Sequence, residues 1–267
     1  MCFVLLALHQ HPDYPLILAS NRDEFFNRLA QPLREWDDMR GIIGGRDMLS
    51  GGSWLALNYR EQRLALLTNV RNLYDSRCQQ TAKRSRGLLV RDSVSSQQSP
   101  EQHILAVLAQ GDDYAGFNLL AGHFPDALYY VSNRGDAGLT LLKSGFYGLS
   151  NASLDTPWPK VVRGKNAFME QVQRGGEIDT NALYELLADT QVAADTDLPD
   201  TGIGLEKERY LSAMFIKASH DLDPLHTYGT RCSSIVLLHK SGHLWFGERT
   251  YQPDAYFTDK SFAVSLV

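Results

Sequence analysis

Residues 1–24, MCFVLLALHQHPDYPLILASNRDE, decide the fold. Phe3–Leu8 and Leu16–Ala19 are short apolar runs, and the turn formers between them at residues 9–15 predict a β-hairpin. Antiparallel pairing returns the end of the second strand to the start of the first. Cys2 and Asn21–Asp23 should therefore meet at one edge of a sheet.

The rest of the chain groups around that hairpin. Gly41–Arg46, Ser53–Tyr59 and Arg63–Asn69 read as a second strand group, and the apolar run Arg63–Thr68 belongs between layers. Helical spacing covers 83–94 and 100–109, the latter opened by Ser99-Pro100-Glu101, a cap with proline at the first helical position. Phe117–Ala121, Ala127–Ser132, Leu139–Leu142 and Phe146–Ser150 are expected to form a meander. Helices follow over 157–173 and 179–188, the second capped by Asp179 or Thr180, and then a loop over Ala193–Gly204. Ser233–His239 and His243–Glu248 form a hairpin around Lys240-Ser241-Gly242, and Ser261–Val267 closes as a strand. Strands and helices alternate in blocks, which predicts an α+β layered fold over a doubly wound parallel sheet.

Composition narrows the function classes. With 267 residues, 43% apolar and 21% charged, the chain is expected to fold as one domain over 1–267. The net charge of −5 argues against phosphate-backbone binding, so nucleic acid is not expected as a partner. The run Phe3–Leu8 lacks a charged leader, and no stretch approaches the roughly 18 apolar residues of a spanning helix, so a cytoplasmic protein without stable membrane insertion is expected. Cys2, Cys78 and Cys232 are odd in number and widely spaced, which suits free thiols. His9-Gln10-His11 sits in a turn with no third ligand nearby, and no metal is expected. Gly44-Gly45 and Gly51-Gly52 lack the lysine of a phosphate loop and read as close backbone approaches.

A cysteine behind the initiator methionine carries chemistry of its own. Once Met1 is removed, the α-amine, titrating near ~8, can take the thiol proton and later protonate a leaving group. Such a nucleophile needs a carboxylate to orient the amine and donors for the oxyanion. Asp23 can supply the first, and Asn69 and Asn151, each just after an apolar strand, the second. If Met1 stays, Cys2 is a small strand residue, and Asn21–Glu24 is either a capped turn or a ligand contact.

"MC", "NRDEFFNR", "GGSWLALN", "LTN", "GFNLL", "YGLSNASLDTPWPKV" and "YGTRCSS" occur in this order between Met1 and about Arg249, and together they resemble the NRDE family typified by Transport and Golgi organization protein 2. The family is similar to N-terminal nucleophile hydrolases, which implies a four-layer αββα sandwich. The catalytic positions so implied are Cys2, Asp23, Asn69 and Asn151, with Arg209 or, as preferred here, Arg231 in place of a late arginine. Those hydrolases also carry an arginine ahead of the Asn-x-Asp stretch, where this chain has Ser20; Arg22 is expected to alternate to a different face. The family's associations with haem trafficking and with acyl-CoA homeostasis imply a cleft for a small hydrophobic anionic ligand, lined by Asn21, Arg22, Asp23, Glu24, Arg28 and Trp54. No cofactor is required, and haem would be non-covalent cargo, because the chain has no Cys-x-x-Cys-His. Trp158 reads as packing at a helix entry or as a pocket wall. The expected function is carriage of haem or a similar ligand, and the alternative is a Cys2-dependent amidohydrolase or thioesterase acting on an acyl amide or acyl-CoA.

Overall fold

The computed structural model describes residues 2–79, 82–135, 138–254 and 256–266, so the state of Met1, the side chain of Cys78 and the end of the expected last strand lie outside the described residues. Strands β1 (Cys2–Leu8), β2 (Leu16–Phe25), β3 (Ala30–Trp36), β4 (Met39–Asp47), β5 (Leu55–Asn58) and β6 (Arg63–Asn69) come first. Helices α1 (Ser76–Gln79), α2 (Gly87–Ser95) and α3 (Pro100–Ala109) follow, then β7 (Phe117–His123), β8 (Ala127–Ser132), β9 (Thr140–Leu141) and β10 (Gly145–Leu149). Helices α4 (Pro159–Gln173), α5 (Thr180–Leu187) and α6 (Leu205–Tyr210) precede β11 (Tyr228–Leu238), β12 (His243–Tyr251) and β13 (Phe257–Ser265). Among the described residues, no helix is long and apolar enough to cross a membrane.

The strands form two antiparallel sheets, ordered β10-β1-β2-β11-β12-β13 and β3-β4-β5-β6-β7-β8-β9. Period-two alternation assigns the faces. Val4, Leu6 and Leu8 of β1 pack with Leu55, Leu57, Leu64 and Leu66 in a core between the sheets. Phe3, Leu5 and Ala7 turn the other way, onto Val161 and Phe168 of α4 and Leu183 and Leu187 of α5. The outer face of the second sheet buries Ala65, Leu119 and Ala121 under Leu89, Val90, Ile104 and Val107 of α2 and α3. Each fully buried Leu or Phe contributes about 1.5–3 kcal/mol relative to exposure. The result is the four-layer αββα sandwich of the α+β class. Burial on both faces is why β1 reads as an unbroken apolar run rather than an alternating one.

The structure departs from the expected elements in several places. Strand β3 was not expected, because Pro32 interrupts its pattern; it is an edge strand, and its register with β4 shifts between Gln31 and Arg34, where a missing N–H is tolerated. The expected meander is broken, because β10 leaves the second sheet and pairs with β1, Val4 opposite Leu149. The helix expected from 83 begins at Gly87, since the N–H groups of Lys83 and Arg84 donate to the Asp113 carbonyl. Helix α4 begins at Pro159 rather than 157, the residue before a proline being held out of helical geometry. Asp179 caps α5 by accepting from Asn181 and Ala182 N–H. Helix α6 and the first half of β13 carry little apolar periodicity; β13 is exposed along most of its length.

Candidate functional site

The hairpin delivers its residues as its register requires. Cys2 lies opposite Arg22 on β2, and Arg22 lies opposite Cys232 on β11. Cys2 and Arg22 both line a cleft at this end of the molecule, with about 540 Å³ of space unfilled by protein atoms and open to solvent. Asp23 and Glu24 continue its wall, Arg28 and Asp47 close one side, and Trp54, Asn69 and Arg86 come from the second sheet and the approach to α2. Arg22 therefore does not alternate away from the site: positions 20 and 22 are two apart and share a face, so the guanidinium occupies the side on which Ser20 stands.

Arg22 is the unusual member. Its side chain is 6% exposed and its guanidinium carbon lies 4.2 Å from the Trp54 ring centroid. No described carboxylate or carbonyl accepts a hydrogen bond from it. Stacking leaves the five N–H donors of an arginine unspent. Trp54 is held over it by sequence: a Cβ on Gly45 would lie 2.1 Å from the indole, and a Cβ on Gly52 would lie 2.3 Å from the carbonyl carbon of Gly87. The Gly-Gly pairs are close backbone approaches, and the second lets Ser53 N–H donate to Gly87 O at 3.0 Å.

The other acids and bases of the cleft are partnered. Arg28 pairs with Asp47 at 2.6 Å and reaches Glu24 at 3.8 Å. Asp47 in turn accepts from the N–H groups of Leu49 and Ser50, and so braces the turn after β4. Asp23 is 1% exposed and accepts from Thr230 Oγ1 at 2.7 Å; burial raises its carboxyl above the usual range. Burial likewise pushes up the Cys2 thiol, with Asp23 adding to the shift and Arg22 opposing it. Cys2 thus rests as a thiol, and no histidine stands among the described residues that line the cleft.

Three expected residues serve the frame instead of lining the cleft. Asn21 projects to the helical side, where its Nδ2 donates to Leu187 O and Met214 O, both at 2.8 Å, and its Oδ1 accepts from Ser233. Arg231 is the extra residue of a β-bulge between Thr230 and Cys232. Its guanidinium donates to the carbonyls of Phe25, Phe26 and Arg28 and stacks on Phe26, clamping the turn after β2. Asn151, wholly buried, donates from Nδ2 to Asn69 O at 3.0 Å and lines a neighbouring hollow beside Arg71 and Trp158. Its neighbour Ser150 donates to Cys2 O at 3.4 Å, so the sheet switch of β10 is what brings Asn151 near the cleft.

Beneath Asp23 lies a buried charge cluster that sequence reasoning missed. Arg71 pairs with Glu208 at 2.7 Å, and Glu208 also accepts from Thr201. Lys160, in the first turn of α4, is 2% exposed and donates to Leu211 O at 2.9 Å; burial brings its ammonium down to about 8, against the opposing pull of Asp23. Arg71 and Glu208 are too far apart in sequence for any local pattern to join them. The run Trp158-Pro159-Lys160 was the one available signal, a cation placed where a helix start disfavours it. Elsewhere, His9 pairs with Asp126 at 3.0 Å while His11 accepts from Asp13 N–H, so their rings serve different partners.

Comparison with known proteins adds three findings. The family described as Transport and Golgi organisation 2 matches residues 1–253. The Transport and Golgi organization protein 2 homolog of Bos taurus is 35% identical over 261 residues, covering 94% of this chain and 93% of that protein; the Drosophila melanogaster protein is 26% identical over 268 residues, covering 94% and 92%. Among solved structures, a Caenorhabditis elegans N-acylethanolamine-hydrolyzing acid amidase ortholog is similar with a TM-score of 0.49 at 11% identity, covering 88% of this chain and 92% of that one.

Proposed function

This chain belongs to the Transport and Golgi organisation 2 family, and from that premise we propose that its cleft is an N-terminal nucleophile site for an acyl amide or thioester bearing an anionic group. The observation that carries the reading is the placement of Cys2 directly across from Arg22, a largely buried arginine that makes no hydrogen bond to a described residue, in a cleft with no histidine among its described lining residues. A thiol raised by burial needs a base, and after removal of Met1 the α-amine of Cys2 is that base. The thiol proton passes to the amine as sulfur adds to the carbonyl carbon. The amine returns the proton to the departing nitrogen or sulfur, and water then cleaves the acyl-cysteine, releasing the acid. Asn69, at the rim and held through its carbonyl by Asn151, supplies an oxyanion donor. Arg22 takes the substrate's anionic group, a partner that would satisfy an otherwise idle guanidinium.

Carriage of haem is the weaker fit. A macrocycle asks for an apolar slot, and this cleft offers Trp54 and Leu67 among three arginines and three carboxylates. Two measurements test the order of the readings. Intact mass of the purified chain is expected to show loss of Met1, and a panel of acyl amides and thioesters with and without a carboxylate is expected to show turnover that Cys2→Ala abolishes. Full retention of Met1, or saturable haem binding at micromolar protein with no turnover on any panel member, reverses the order.

A further inference from the structure

The group that Arg22 receives is narrowed by what surrounds it. Of the arginines lining the cleft, Arg28 is paired with Asp47 at 2.6 Å and Arg86 donates to Gly116 O at 3.0 Å, while Arg22 makes no hydrogen bond to a described residue. Stacking on Trp54 covers a face of its guanidinium and leaves the edge, a fork whose geometry matches a planar carboxylate. Asp23, Glu24 and Asp47 stand in the same wall, so a dianionic group is repelled more strongly than a single carboxylate. Apolar lining is confined, among the described residues, to Trp54 and Leu67, and a long alkyl chain gains little by entering.

Depth and register fix which end of a substrate lies here. Cys2 is directly opposite Arg22, and both share the face of the first sheet that carries Val4 and Leu18 into the core between the sheets. Arg22 is 6% exposed, whereas a leaving group must depart through the open mouth while the acyl group stays on sulfur. The group at Arg22 is therefore part of the acyl half. Opposed side chains of an antiparallel pair have Cβ atoms about 4.5–5.5 Å apart, and a reacting carbonyl stands about 3–3.5 Å from its nucleophile. A separation of that order spans roughly one to three methylene groups between carbonyl and carboxylate. We propose that the cleft selects a short acyl group ending in a carboxylate, the half-amide or half-thioester of a diacid of about three to five carbons, with its carboxylate on Arg22 and its reacting carbonyl at Cys2. This rests on the nucleophile reading above. Sulfur adds to the carbonyl carbon, the bond to nitrogen or to the leaving sulfur breaks as the amine of Cys2 returns the proton, and water then releases the diacid.

The test is calorimetric binding of the half-amides of malonic, succinic, glutaric, adipic and suberic acids to the full-length Cys2→Ala chain, whose missing thiol prevents turnover. Affinity is expected to peak among the first three, and to be about tenfold or more weaker for suberamic acid and for uncharged butyramide. Arg22→Gln in the same background should remove the preference for charged ligands. The length series itself needs no change at Arg22, so a misfolded Arg22 variant leaves the test standing. A flat series, a peak at suberamic acid, no binding at all, or butyramide bound as tightly as succinamic acid overturns the proposal. The wild-type chain is offered anilides of the same acids and of a long-chain fatty acid. Turnover confined to the long-chain anilide overturns the proposal and leaves the nucleophile reading intact. Binding that follows the series, with no anilide turned over, strikes the nucleophile reading while the ligand class stands.

Discussion

Neighbouring residues of β2 lead opposite lives. Asn21 and Asp23 are each 1% exposed and held by named partners: Asn21, on the helical side, by two backbone carbonyls and a serine, and Asp23, which also walls the cleft, by a threonine. Arg22, between them, projects to the cleft side and touches an aromatic face, with no hydrogen bond to a described residue. A strand's alternation separates the two roles within three positions. The bonded side is spent on the fold, while the unspent side is left for something that arrives from outside. Asn21 and Arg22 are both almost buried, so what distinguishes structural from receptive residues here is hydrogen bonding to the frame and not exposure.

That contrast can be broken by substitution. Asn21→Leu leaves two buried carbonyls without their donor and the Ser233 hydroxyl with Tyr251 alone, and should cost about 3 kcal/mol or more in chemical denaturation with no separable effect on ligand binding. A comparable effect should follow pH. The Lys160 ammonium is lowered from 10.5 to about 8 in the folded chain, so between those values the unfolded chain binds more protons, and stability rises with pH. The full rise is about 3 kcal/mol and should be absent in Lys160→Met, as read from denaturant midpoints taken across that range. Gly45→Ala drives a methyl into the Trp54 ring and should cost about 1–3 kcal/mol, loosening the shelf on which Arg22 lies. The smallest change in stability, under about 1 kcal/mol, is expected for Arg22→Gln, which gives up no hydrogen bond to a described residue. Its turnover of carboxylate-bearing substrates should nevertheless fall about tenfold or more, with uncharged analogues little affected. A large loss of stability in Arg22→Gln would erase the contrast between the two sides.

Much of this was legible in the chain, for identifiable reasons. The first hairpin could be read because both its runs are apolar and its turn residues dense, and its register then placed Cys2 against residues 21–23. The layer order could be read because strands and helices come in blocks. The sheet switch of β10 could not, since Phe146–Ser150 looks like any further strand of a meander, and the choice of partner depends on which edge lies open. Side-chain roles in the site followed the same divide. Arg22 and Trp54 were candidates through the family resemblance, but their stack spans two sheets. Asn21 and Arg231 were candidates for the cleft, and only tertiary contacts show them bonded to the backbone of the frame. Lys160, Arg71 and Glu208 were passed over because burial of paired charges has no local signature.

The bulged pairing of β11 with β2 also sets a timetable for synthesis. The Thr230–Asp23 hydrogen bond joins residues 207 apart, and the Ser150–Cys2 bond residues 148 apart. A growing chain must therefore carry its first hairpin, apolar on both faces, with the β1 edge open until β10 emerges and the β2 edge open until nearly nine-tenths of the polypeptide has emerged. Contacts so distant slow folding and prolong the exposure of strand edges.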